Sequence, residues 1–221
     1  MSSPASSNAQ DWIHIFQAIA EKVEIARDHL NGLDGVIGDG DHGLTMVIGM
    51  RAVAQAVSTL SPSATVDQVF SIAGSSFANT AGGAIGPLVG GMWTACAKRF
   101  PGCVAFDTPE LRTMFECMEA TIIRKGKANL GDKTLLDALH PAVQAVMNGT
   151  EPDMASLLRS AAQAAAGGAR STSSMVSRVG RSSRLGERTL GHEDAGANSM
   201  ALIIAVMAEG VAARVDKGTA A

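Results

Sequence analysis

Apolar residues in this chain recur at helical spacing, and that periodicity is what most narrows the fold. Trp12, Ile15, Phe16, Ile19, Val23, Ala26 and Leu30 share one face of a helix, while runs of alternating β-branched residues are absent. Asp11 can cap this first helix, and Asn31-Gly32 marks its expected end. A second helix is expected from about Gly43 to Thr59, closed by Pro62. A third follows a Thr65–Gln68 capping box, through Val69, Phe70, Ile72 and Phe77. Trp93 to Phe100 lies on a fourth, and Thr108 with Pro109 at the first helical position opens a fifth, which ends at Lys125-Gly126-Lys127. A sixth ends near Gly149, Asp153 caps an Ala-rich seventh reaching about Met175, and the last runs from about Ala197 to Val215. The expectation is an all-α fold of about eight helices, one domain over residues 1–221, with residues 1–10 disordered.

The connections between these helices are unusually rich in glycine and charge. In HLNGLDGVIGDGDHGLTM, starting at His29, Asp34, Asp39 and Asp41 are threaded among Gly35, Gly38, Gly40 and Gly43. Clustered carboxylates repel one another unless a cation sits between them. Glycines let a short loop fold back and aim several side chains at one point. The stretch ends where a helix begins, and free amides at a helix N-terminus attract anions. Carboxylates for a hard cation followed by amides for an anion describe a seat for a metal–phosphate complex. The all-oxygen set favours Mg²⁺ or Ca²⁺. An EF-hand does not fit, because Thr45 is twelfth from Asp34 and Gly43 is fifth from Asp39, leaving ligands missing. Mg²⁺ shared between protein and phosphate is the better reading. The bland alternative for any single aspartate is a helix cap.

Other functions are disfavoured by composition. A net charge of −3, no basic run and only 4% aromatics argue against nucleic acid as a partner. Cys96, Cys103 and Cys117 lack C-x-x-C spacing, which points to a reducing compartment and to neither a disulfide framework nor a zinc site. The start lacks the features of a signal peptide, and the apolar runs near Ile203 read as too short to span a bilayer, so a soluble, cytoplasmic protein without membrane partners is expected.

Further loops could join the aspartate stretch. If neighbouring helices run antiparallel, alternate loops share one end of the bundle, and segments 32–43, 81–87, 126–134 and 177–196 are candidates for one site. Gly126 to Thr134 is a near-miss to a phosphate-binding P-loop, one residue too long and without a preceding strand, so that reading is rejected. Lys133 in it could meet phosphate or simply be solvated. Arg178, Arg181, Arg184 and Arg188 form either a solvated basic loop or a phosphate clamp. His192-Glu193-Asp194 reads as a metal or base cluster, or more simply as a cap by Asp194.

Four segments, LNGLDGVIGDGDHG from Leu30, GGAIGPLVGG from Gly82, RKGKANLGDKTLLDAL from Arg124 and GRSSRLGERTLGHEDAGA from Gly180, resemble the L-subunit family of dihydroxyacetone kinases. The resemblance runs from about Ile15 to Arg214, with the motifs in the family's order. It implies a closed barrel of eight antiparallel helices with the nucleotide, ADP or ATP, across one end. Asp34, Asp39 and Asp41 match the metal ligands, holding two Mg²⁺ ions against the phosphates. His42, Gly43, Leu44 and Thr45 match the phosphate-contacting helix start, Ala84 and Ile85 a contact in the second loop, and Gly126 and Leu135 positions near the base. Arg181 lies in the covering loop and would assist transfer together with the metal-bound aspartates. Asp194, Ala195 and Gly196 match the final contact.

Four positions depart from the commonest pattern: Thr45 for Asn, Ile85 for Ser, Ala195 for Pro and Arg184 for Tyr. The resemblance also implies a substrate-binding K subunit as partner, with phosphoryl groups supplied by exchanging ATP or by a phosphotransferase-system protein that recharges a fixed ADP. A ketotetrose kinase of the erythrulose type and a non-catalytic nucleotide-binding regulatory module are the alternatives. Which ketose is used lies on the other polypeptide. Oligomeric state is open, a homodimer included.

Overall fold

A computed structural model describes residues 6–219, with side chains through Arg214. Among these residues the chain is all-α, with no strand and a single isolated bridge between Ser7 and Phe106. Eight α-helices follow in order: α1 (Ala9–Ile37), α2 (His42–Val57), α3 (Val66–Thr80), α4 (Gly91–Ala97), α5 (Thr108–Gly126), α6 (Leu135–Asn148), α7 (Met154–Ser171) and α8 (Ala195–Thr219). A π-helical turn, Gly86–Gly90, leads directly into α4. Each helix packs against the next, and α8 packs back on α1.

The caps explain most boundaries. Thr65 with Gln68 forms the expected box at α3, and Asp107 with Glu110 forms another ahead of Pro109 at α5. Asp153 caps α7 by accepting from the Ser156 amide at 2.8 Å. At the end of α6, Arg112 on α5 donates to the carbonyls of Val146, Met147 and Gly149 at 2.5, 2.6 and 2.9 Å. Those carbonyls have no helical partner, and the guanidinium fork satisfies three of them at once.

Four expectations need correction. The cap of α1 is Asn8 rather than Asp11, which instead completes the capping box from the third helical position. Disorder over 1–10 therefore does not hold for residues 6–10, where Ser7 and Phe106 also exchange two backbone hydrogen bonds; residues 1–5 lie outside the described residues. α1 does not stop at Asn31-Gly32 but continues to Ile37, whose side chain is buried, so Asp34 sits on a helix and not in a loop. α8, window Ala195–Arg214, is long and apolar enough to cross a membrane, contrary to the reading of its apolar runs as too short. It packs instead on α1, α6 and α7 and is a core helix.

A ring of edge-to-face aromatics, Trp12, Phe16, Phe70, Phe77, Trp93, Phe100 and Phe106, fixes α1, α3 and α4 with centroid spacings of 4.9 to 5.5 Å.

Candidate functional site

A cleft of about 270 Å³ lies where the end of α1, the start of α2, the loop before the π turn and the starts of α6 and α8 meet. Of the residues singled out from the sequence, Asp34, Asp39, Asp41, His42, Ala84, Ile85, Leu135, Arg181, Asp194, Ala195 and Gly196 line it. Gly43, Leu44, Thr45 and Gly126 do not. Gly43 is pressed on α1, where a Cβ would fall 2.1 Å from the Arg27 carbonyl oxygen, so its place is explained by helix packing. Gly126 stands one step back, behind Leu88.

One oxygen from each of Asp34, Asp39 and Asp41 lies within 4.8 Å of the others. Gly40 makes this convergence possible: at φ +77° it occupies the left-handed region, turning the chain between the last two aspartates. Asp41 begins α2 without a side-chain capping bond, which leaves its carboxylate free to face the others. Three hard oxygens at this separation fit one divalent cation of the Mg²⁺ or Ca²⁺ type. The Arg181 guanidinium is ion-paired with Asp39, occupying the cationic position the acids call for.

Most of the amides expected to be free at the α2 start are engaged. Asp34 Oδ2 accepts from the Asp41 and His42 amides at 3.0 and 3.4 Å, Asn31 Oδ1 takes the Leu44 amide at 3.1 Å, and the Thr45 amide bonds the Asp41 carbonyl at 2.9 Å. The helix start thus already holds an anion, and that anion is Asp34. His42 is held from the other side by Ser199 at 3.0 Å. Burial pushes its pKa below the usual value against the pull of Asp34.

Lys133 also lines the cleft, and it corrects the reading of a solvated lysine. Its side chain is 1% exposed. The ammonium donates to the carbonyls of Thr172 at 2.7 Å, Thr189 at 2.9 Å and Met175 at 3.3 Å, and to that of His192. These four carbonyls belong to the segment after α7, so one buried cation gathers the loop that carries Arg181. Lys133 adopts φ +63°, and its own segment before α6 is pinned because Asp137 accepts from the Gly131 and Thr134 amides at 2.6 and 2.7 Å. Asp137 is the third helical position of a Thr134 capping box, a signal present in the sequence; nothing local marks Lys133.

The other arginines of that loop, Arg178, Arg184 and Arg188, are exposed and outside the cleft. Among His192-Glu193-Asp194 the cap reading holds: Asp194 Oδ2 accepts from the Ala197 amide at 2.7 Å at the start of α8. Desolvation raises the Asp194 carboxyl to about 7, opposed by that amide and by Lys133 and reinforced by Asp137 and Asp34.

An all-α domain with an acid-lined cleft at the starts of several helices defines a class, and comparison with known proteins assigns it. The DAK2 domain profile matches residues 36–209, and the chain belongs to that family. It is 36% identical over 198 residues to the ADP-binding subunit DhaL of PEP-dependent dihydroxyacetone kinase 2 from Listeria innocua, covering 89% of this chain and 92% of that one. It is 37% identical over 197 residues to the D-erythrulose kinase of Mycolicibacterium smegmatis, covering 88% of this chain but only 34% of that longer protein. The dihydroxyacetone kinase of C. freundii, solved in complex with AMP-PNP and Mg²⁺, superposes with a TM-score of 0.67 at 25% identity over 95% of this chain and 35% of that one. These relatives are named as kinases, that is, phosphotransferases.

Proposed function

We propose that this chain is the Mg²⁺–nucleotide subunit of a dihydroxyacetone-type kinase, which passes a phosphoryl group to a small ketose presented by a partner K subunit. The observation that carries this is the meeting of Asp34, Asp39 and Asp41 in one cleft with Arg181. The near-full-length likeness to an ADP-binding subunit supports it. We read the helix order as a closed antiparallel barrel, supported by sequential packing that returns from α8 to α1 and by alternate helix ends meeting at the cleft. Free thiols at all three cysteines support a cytoplasmic setting.

Asp34, Asp39 and Asp41 would hold two Mg²⁺ ions together with the phosphates. When bound, the metal supplies charge neutralisation on the phosphate oxygens and in-line alignment. The protein does the rest. Ala84 and Ile85 border the nucleotide with backbone alone, since neither side chain can donate a hydrogen bond. Arg181, already beside Asp39, can swing its planar fork onto a phosphate as negative charge develops there. Leu135, Ala195 and Gly196 form the apolar side of the cleft. No group in this chain is required as the base, because the acceptor hydroxyl lies on the partner.

The likeness to an erythrulose kinase favours one second reading, in which ATP exchanges freely and the acceptor is a ketotetrose. Reconstitution with K subunits separates the readings: ATP alone, or only phosphoenolpyruvate with phosphotransferase proteins, sustains phosphorylation of dihydroxyacetone or erythrulose. Nucleotide-dependent transfer that survives Asp39→Asn and Asp41→Asn would sink the proposal.

A further inference from the structure

A second and larger cleft, about 750 Å³, opens between α4 and α5. Its rim carries Lys98, Arg99, Arg124 and Lys125 against one acid, Glu116. None of these five groups is ion-paired among the described residues. An excess of unpaired cations in a chain whose net charge is −3 is a local field for anions.

Cys117 is a half-buried thiol in the wall of this cleft. Cys96, buried on α4, stands behind it and gives its S–H to the Met114 carbonyl at 3.8 Å. The neighbouring Cys96 and Thr121, with Arg99 and Arg124 nearby, bring the Cys117 thiol down to about 6 against the effect of burial, while Cys96 is pushed well above its usual value. Cys103 offers an internal contrast. It too is half-buried, but burial and the acids Glu110, Asp67 and Asp107 push its thiol up. A thiolate, not a thiol, is the attacking species.

We propose that the α4–α5 cleft is a thiol-modification site, where Cys117 exchanges with a low-molecular-weight disulfide whose carboxylates are held by Lys98, Arg99, Arg124 and Lys125. The Cys117 thiolate attacks one sulfur of the disulfide. The reagent's S–S bond breaks as the new S–S bond forms, and the other half departs as a thiolate that takes a proton from water. The disulfide is itself the oxidant, so no further reactant is needed. The volume is in the range of small-ligand sites and accommodates a tripeptide arm beside the sulfur. This site is separate from the nucleotide cleft and does not depend on the kinase reading.

The full-length chain is treated at neutral pH with glutathione disulfide and, separately, with uncharged hydroxyethyl disulfide, and adducts are mapped by intact-mass and peptide mass spectrometry. Cys117 should take up glutathione first, at least about tenfold faster than Cys103. In Arg99→Gln/Arg124→Gln, whose side chains are exposed and unpaired, the rate ratio of the charged to the uncharged reagent should fall about tenfold, with the helical circular dichroism unchanged. Taking the ratio of the two reagents cancels any change in thiolate fraction. Equal or faster labelling of Cys103, no adduct at Cys117, or an unchanged ratio in the double variant would each overturn the proposal.

Discussion

The two clefts share a wall, the π turn Gly86–Gly90, and are opposite in charge. Leu88 faces the cleft of Asp34, Asp39 and Asp41, while the adjacent Pro87 faces that of Lys98, Arg99, Arg124 and Lys125. The acidic cleft is the smaller, at about 270 Å³ against about 750 Å³. It is also internally tied: Asp34 is held by two amides, Arg181 is paired with Asp39, and the covering loop is fastened through Lys133. In the basic cleft the charges stand unpaired on the surface. Size alone would therefore choose the basic cavity over the acidic one. Convergence of groups from several elements, each oriented by a neighbour, is the better guide.

If the acids define the first cleft, the largest effect should come from removing one. Asp39→Asn or Asp41→Asn should cut phosphoryl transfer by roughly 100-fold or more in a reconstituted kinase. Because Asp41 is exposed beside two other acids and lacks the ion pair that Asp39 makes with Arg181, metal-free Asp41→Asn should melt at or slightly above the wild-type temperature. A fall in both transfer and melting temperature would make these acids structural and erase the contrast with the basic cleft.

Lys133→Met tests whether the acidic cleft depends on its fastened loop. It leaves four carbonyls without their buried donor and should cost about 2–4 kcal/mol in urea unfolding. Limited proteolysis should then cut first between residues 177 and 191. If cutting begins elsewhere, the ammonium is not what holds the loop.

Titration sharpens the comparison further. Burial holds the folded Asp194 carboxyl up at about 7, above its usual range, so between these limits the folded state binds more protons than the unfolded one. Its contribution to stability is therefore lost as pH rises through that window. Asp194→Asn keeps an acceptor for the Ala197 amide and removes the charge. Without divalent ions, its stability relative to wild type should rise from about pH 4 to pH 7, followed by urea midpoints. A flat difference would mean that the carboxylate is ionised throughout. The smallest effect belongs to the basic cleft: Glu116→Gln should raise the preference of Cys117 for the charged disulfide about twofold.

Much of the fold was legible because its signals are short-range. The helical periods and the Thr65–Gln68 box lie within a few residues, and so does the aspartate spacing that lets Asp34, Asp39 and Asp41 converge. Reading Asn31-Gly32 as a stop failed because α1 is held past it by burial of Ile37 against other parts of the chain, which outweighs the local cost of glycine. Gly43 is required for packing as well, because α1 passes too close for any side chain there, which the sequence alone does not reveal. Of the amides expected to be free at the α2 start, those of His42 and Leu44 are taken by Asp34 and Asn31, residues on a different helix.

The sequence by itself determined the helical class, most of the caps and the local acid cluster, since each depends on residues within about one or two turns of one another. Only the tertiary structure decided that Arg181 meets Asp39, that Lys133 turns inward to four distant carbonyls, and that Cys117 rather than Cys103 sits among guanidinium groups. Those pairings join segments far apart in the chain. They exist because packing the apolar faces brings particular helix ends together, and no periodicity along the sequence encodes which ends those are.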